Sequence, residues 1–261
     1  MRYLKLYLYF LRFSFSKALS FRLDFFFRIF MDLIYYFINI SFFKLVYLHT
    51  PLLGGWTQPQ VMIFVACYLV IDAINMTVFS SNMWWLPYFI NKGELDYYLI
   101  RPVSPLFFLS LREFSANSFV NFFMAFGFLI YALISYPVPF SIGELLLFSA
   151  LIINGVFLYY LIQMLMILPV FWTHSSRGFV DLFYALGLAM ERPDKIFKGW
   201  LRIIFTTILP FSLIASFPTK IFLEDFEWSA LGHLVLVTTI FWILMLTVWK
   251  IGLKNYSSAS S

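Results

Sequence analysis

Charge is scarce in this chain. Asp, Glu, Lys and Arg make up only 12% of its 261 residues, about half the share carried by a water-soluble globular domain. Hydrophobic residues reach 62% and aromatic ones 23%. Long apolar stretches recur from end to end, so one buried core cannot hide them, and most side chains must face lipid or another apolar helix. A soluble fold is excluded. Cysteine is scarcer still: Cys67 stands alone, which rules out an intrachain disulfide, a CxxC redox pair and a thiolate metal cage. Catalytic signatures are also missing. None of the eleven glycines is followed by lysine, so there is no phosphate-cradling loop ending in Gly-Lys-Ser/Thr. There is no HExxH, no histidine pair at ligand spacing and no GxSxG elbow. His49, His174 and His233 fall at expected membrane boundaries, where imidazole is tolerated without a task. The net charge of +5 does not point to nucleic acid, because Lys and Arg sit in the gaps between apolar runs rather than on a polar domain.

What is present predicts an all-α polytopic membrane protein. It comprises an amphipathic interfacial helix over residues 1–23, six transmembrane helices over 24–256 and a frayed Ser-rich tail over 257–261. Arg2, Lys5, Arg12, Lys17 and Arg22 interrupt the first two dozen residues before the apolar centre of a cleaved signal can form. Arg2, Lys5 and Arg12 share a helical stripe with Ser16 and Ser20, opposite Leu4, Leu8, Leu11, Phe15 and Leu19. The basic side chains would meet anionic headgroups of the membrane lipids while the apolar face sinks into the acyl boundary.

The first span is expected over about Phe25–Val46, with Asp24, Arg28 and Asp32 four apart near its start, where they can pair. The second covers Val61–Ser81, after an uncharged Pro/Gly/Trp-punctuated loop at 50–59. A polar stretch, Asn91–Pro105, precedes a third span over Leu106–Ser135, and a Pro137-Val138-Pro139 turn leads to a fourth over Leu145–Phe171. Residues 172–200 carry seven charges around a 13-residue apolar piece, Gly178–Met190, too short to cross as a helix, and are expected to stay on the cytoplasmic side. The fifth span then starts near Trp200 and breaks at Pro210, Phe211–Phe226 forms a re-entrant region, and the sixth covers Ala230–Trp249. This threading puts sixteen Lys and Arg on the side of both termini and two, Lys44 and Lys220, on the other, so both termini are expected in the cytoplasm. Asp72 is a costly carboxylate at depth and should face a bundle interior or water. Asn75, one turn on, and Asn39 can share that polar interior as parts of a translocation path.

Two stretches carry a resemblance. Lys92-Gly93-Glu94-Leu95-Asp96-Tyr97-Tyr98-Leu99-Ile100-Arg101-Pro102-Val103-Ser104-Pro105-Leu106, and Arg192-Pro193 through Ile196-Phe197-Lys198-Gly199 ahead of a proline-broken span, resemble the small ABC-2 type permeases, the membrane subunits of ATP-binding-cassette exporters. The likeness covers nearly the whole chain. It implies two ATPase subunits and a second permease, identical or homologous, in the cytoplasmic (inner or plasma) membrane. ATP and Mg would be bound by the ATPase and no cofactor by this chain. It further implies that Lys92, Gly93, Glu94, Leu95, Asp96 and Tyr97 form a coupling helix that docks in the ATPase, with Arg101 and Pro102 fixing the return into the next span. Spans one, two and five would line an outward path. A Gly-started, Pro-ended charged segment is also what a rigid lever needs on physical grounds alone. An ion-coupled secondary transporter using Asp72, or a non-catalytic membrane scaffold, stands as the alternative.

Overall fold

The computed structural model describes residues 2–20, 22–175 and 177–256, and no side chain of Arg2, Leu19, Ser20, Arg22 or Asp24. The tail expected at 257–261, the headgroup role of Arg2 and the pairing of Asp24 therefore lie outside the described residues. The chain is 79% helical, with no strand among the described residues. Its helices are α1 (Arg2–Ser20), α2 (Arg22–Tyr47), α3 (Gln58–Asn91), α4 (Ala116–Ile134), α5 (Ile142–Ile167), α6 (Arg177–Gly187), α7 (Ser216–Leu223) and α8 (Trp228–Asn255). Five of them, α2 to α5 and α8, are long and apolar enough to cross a membrane. Of the apolar window of α3, 78% is buried, against 11% for α2 and 22% for α8. The bundle is therefore built around α3, with α2 and α8 forming a greasy outer skin.

Local sequence sets the ends of these helices. Pro59 sits in the first turn of α3, and the Thr57 N–H donates to Gln60 Oε1 at 2.9 Å. At α5 the Glu144 N–H donates to Ser141 Oγ at 3.2 Å while the Ser141 N–H donates to Glu144 Oε2 at 2.7 Å, a reciprocal cap. The second span, expected to stop at Ser81, instead continues to Asn91 as a 34-residue helix, about 50 Å long at the usual rise. Within it Met76–Ser80 widens into a π turn, which releases the Thr77 carbonyl from the regular ladder. That carbonyl accepts the Ser115 N–H at 2.9 Å, and the Asn82 amide clamps Glu113 by both its N–H (2.9 Å) and its carbonyl (2.8 Å). The third span, expected to be continuous from Leu106, is consequently split. A short helix, Pro105–Leu111, ends in an irregular turn, and α4 starts afresh at Ala116.

The amphipathic α1 is present, and it packs on this split segment. Tyr3 and Phe10 lie edge-on to Phe107 and Phe108 at 4.7 and 5.0 Å, and Ser14 Oγ accepts the Phe114 N–H at 3.1 Å. Leu4 and Leu8 remain exposed on the other side, free to enter the acyl boundary.

The threading between α5 and α8 differs from expectation. These two helices run parallel: Asn154 accepts from Thr238 at 3.2 Å, Phe157 meets Trp242, and further along Phe171 meets Trp249 at 5.7 Å. Residues 174–227 must therefore travel back along the bundle, and contacts mark their course. The His174 carbonyl accepts from Asn91 at the far end of α3, Glu191 reaches Tyr35 and Tyr68 midway, and Lys195 pairs with Glu224 beside Trp56 at the other end. The 172–200 stretch, expected to stay at one end, thus traverses the bundle. Thirteen apolar residues were too few for a helical crossing, but here α6 supplies half the length and irregular chain the rest. Buried backbone of that kind is tolerated when protein supplies its partners.

Arg192, Lys195, Lys198 and Arg202 leave the amino-terminal end with this segment. The charge ratio between the two ends falls from sixteen against two to twelve against six. The span expected from Trp200 is likewise not one helix: Trp200–Ile203 passes into a π turn, Ile204–Ile208, breaks at Pro210, and returns through α7. Trp200, Ile203 and Ile208 of the first limb are exposed, whereas Phe211, Leu213, Ile214 and Ala215 of the return are fully buried. Gly155 of α5 makes room for that return, since a Cβ there would lie 2.4 Å from the Ile214 carbonyl oxygen.

Gly155→Ala should lower the unfolding midpoint of the purified protein, with a loss of about 1–3 kcal/mol, because backbone must move. Gly127→Ala, mid-helix with nothing within 4 Å, should keep the midpoint or raise it slightly, since alanine favours the helix. Burial raises the pKa of the Glu224 carboxyl, but hydrogen bonds from Lys195 and Trp56 (2.6 Å) and the charges of Lys195 and Lys220 outweigh it and hold the pKa below its ordinary value. The pairing contributes stability above the ordinary carboxyl pKa near about 4.3 and loses it as pH falls through the lowered value. Solvent screening limits it to about 0.5 kcal/mol. Wild type should therefore exceed Glu224→Gln in thermal stability at neutral pH, and the gap should close in acid.

Candidate functional site

A cavity of about 730 Å³ opens between α2, α3, α4, α5 and α6. Three carboxylates border it, Asp32 on α2, Asp72 on α3 and Glu191 beyond α6, together with one guanidinium, Arg28. The rest of the wall is largely aromatic, with Tyr35, Tyr36, Tyr68, Tyr159, Tyr184 and Trp84 prominent. Each acid is held by side chains from another helix. The Tyr35 and Tyr68 hydroxyls, 3.1 Å apart, donate to Glu191 Oε1 at 2.8 and 3.3 Å. Tyr159 donates to Asp72 Oδ1 at 3.4 Å, and the Asn121 amide donates to Asp32 Oδ2. Asp72 is only 8% exposed, and among the described residues no cationic side chain pairs with it. No group of His, Cys, Asp and Glu suited to a metal ion occurs among the described residues.

Of the three polar residues expected to share this interior, Asp72 alone lines the cavity. Asn39 turns back to donate to the Tyr35 carbonyl at 3.0 Å. Asn75 is fully buried beside the π turn, and neither of its amide atoms finds a hydrogen-bond partner among the described residues. Glu191 and the tyrosines were missed by the sequence reading. Glu191 falls in the 172–200 stretch expected on the cytoplasmic side, and Asp32 in the group near the start of the first span where it can pair with Arg28. Tyrosines within otherwise apolar spans, at 35, 68 and 159, were the available signal, because a buried phenol needs a partner.

The second assembly is the segment after α3. Gly93 has φ +74°, a left-handed turn suited to glycine. One helical turn, Asp96–Leu99, follows. Leu95 is fully buried, and its N–H donates to the Phe89 carbonyl at 3.1 Å, so Leu95 anchors the segment instead of presenting a surface. Tyr98 packs between Phe89 and Phe108, both at 5.2 Å, and accepts from Arg112. Arg101 donates to the Tyr97 carbonyl at 3.0 Å and lies over the Phe108 ring at 4.9 Å. Lys92, Tyr97, Ile100, Arg101 and Pro102 are exposed, while Gly93, Glu94 and Asp96 are half-buried. The basic side chains of Lys5 and Arg12 lie on neighbouring α1, and both are exposed.

The two assemblies share a helix. The rigid segment begins where α3 ends, and α3 carries Tyr68 and Asp72 in the cavity wall, with the π turn at Met76–Ser80 in between. The family model described as "ABC-2 family transporter protein" matches residues 33–260. No curated protein and no solved structure matches the chain. A bundle with five helices able to cross a membrane, matched by that family over most of its length, is a multi-pass membrane protein, and the chain belongs to the ABC-2 transporter family, the membrane permease components of ABC transporters.

Proposed function

We propose that this permease moves a substrate outward across the cytoplasmic membrane, driven by a separate ATPase that docks on the segment Lys92–Pro102. The observation that carries this reading is the continuity of α3 from that segment to the cavity. A displacement imposed at Gly93, Glu94, Asp96 and Tyr97 reaches Asp72 through one helix, and Leu95, Tyr98 and Arg112 keep the segment from folding away under load. The π turn between them is where α3 can bend, since such turns mark functional hinges. In this reading ATP and Mg belong to two ATPase subunits, and this chain binds no cofactor.

The same geometry supports a membrane arrangement. Six crossings result when α6 and the chain to Lys195 count as the fifth, and Trp200–Leu223 then forms a re-entrant hairpin entered and left on the outer side. Twelve Lys and Arg against six favour the cytoplasm for the Lys92 end and for both termini. A second permease, identical or homologous, closes the cavity along the exposed rings of α2. The three carboxylates in the cavity favour a second reading, ion-coupled transport by the chain without an ATPase. Nucleotide dependence separates the two.

Reversing the charge of the docking surface with Glu94→Arg and Asp96→Arg together should abolish co-purification of the ATPase and nucleotide-dependent transport, while the permease still reaches the membrane and elutes at its normal size. Unchanged co-purification, or transport driven by a proton gradient with no ATPase present, overturns the reading.

A further inference from the structure

The lining of the cavity specifies the charge of its occupant. Among the described lining residues three carboxylates face one guanidinium, an imbalance that is costly at membrane depth unless a cation or protons join it. Asp72 makes the imbalance acute: it is nine-tenths buried, its single hydrogen bond is long at 3.4 Å, and Oδ2 has no donor among the described residues. The wall is rich in aromatic side chains, and an aromatic ring attracts positive charge to its face, most strongly when water is excluded. The volume, about 730 Å³, lies within the range that holds a drug-sized molecule.

A way in is also visible. A second cavity of about 370 Å³ lies under α1, where Phe13, Lys17 and Trp85 form part of its wall. It shares Arg28, Ser81, Trp84, Ser115 and Asn117 with the large cavity, so the two adjoin along that border. Because α1 is the amphipathic helix, the outer mouth opens at the depth where a leaflet meets its headgroups. A ligand arriving there must have an apolar body to dwell in the leaflet.

The geometry points to an amphiphilic organic cation as the occupant, entering from the leaflet beneath α1 and settling its positive centre between Asp72 and Glu191. This deepens the permease reading and rests on it for the fate of the ligand. Binding itself needs this chain alone, and the cation belongs either to a free molecule or to the choline headgroup of a lipid.

The test is equilibrium dialysis of the detergent-solubilised full chain against radiolabelled tetraphenylphosphonium, with tetraphenylborate, of the same shape and opposite charge, as competitor. Saturable binding of the cation is expected, with no displacement by the anion. Asp72→Asn and Glu191→Gln should each weaken it at least tenfold, whereas Asp181→Asn, an exposed acid on α6 away from the cavity, should leave it unchanged. Displacement of the probe by phosphatidylcholine but not by phosphatidylglycerol would assign the cation to a headgroup; displacement by neither would assign it to a free amphiphile. Absent cation binding in the wild type, equal binding of the two ions, or unaltered binding in both amide variants overturns the inference. The wild-type comparison needs no variant to fold. ATPase co-purification from the same preparations keeps the two ideas apart: docking retained without cation binding defeats this inference alone, and the converse defeats only the ATPase reading.

Discussion

A backbone that leaves the helical ladder inside a bilayer must find every hydrogen bond and every countercharge within the protein. Residues 188–215 meet much of that demand, although Asp194 Oδ1 and Ser212 Oγ find no partner among the described residues. Glu191 is held by two tyrosine hydroxyls, and the fully buried Asp194 receives Arg202 at 2.8 Å while its own N–H donates to Ser216 Oγ at 3.0 Å. Lys195 closes on Glu224 beside the Trp56 ring. Together these pairs let an irregular chain run through the bundle between α5 and α8, and they carry Glu191 to the cavity. If the partners failed, the cavity would lose one wall and the returning limb would lose its seat against Gly155.

The same economy of helix breaks shapes the opposite end. A π turn in α3 sacrifices regular geometry to present the Thr77 carbonyl to Ser115, and Asn82 completes the graft by gripping Glu113. The chain after α3 is thereby fixed at both ends, by Leu95 beneath and by Tyr98 and Arg112 alongside. A segment so fixed transmits force instead of absorbing it. The long helix α3 joins it to the acid-lined cavity.

Much of this was legible in the residues. Apolar run lengths located α2, α3, α4, α5 and α8, and the stripe pattern of the first twenty residues announced the amphipathic helix α1. The charged stretch from Lys92, opened by a glycine and closed by a proline, stood out as a separate segment, and Asp72 stood out as an acid within an apolar run, where it borders the cavity. The course of residues 174–215 did not show, because reading by run length places a passage only where one apolar helix can make it, here from Trp200. Glu191, Asp194 and Lys195 look like a solvated loop until their partners are known, and those partners, Tyr35, Tyr68, Arg202 and Glu224, lie up to 156 residues away in sequence. Periodicity along one segment cannot report neutralisation by another. Leu95 was misjudged for a related reason: a lone apolar residue among charges reads as part of a surface, yet it is the anchor beneath one.

The account depends on the chain between α6 and Lys198 passing from one side of the membrane to the other. Single cysteines at positions 94 and 198, introduced into a Cys67→Ala background and probed with a membrane-impermeant thiol reagent on intact cells, test this directly. The account requires label at position 198 from outside, with position 94 reacting only after the membrane is opened. Labelling of both positions from the same side would contradict it.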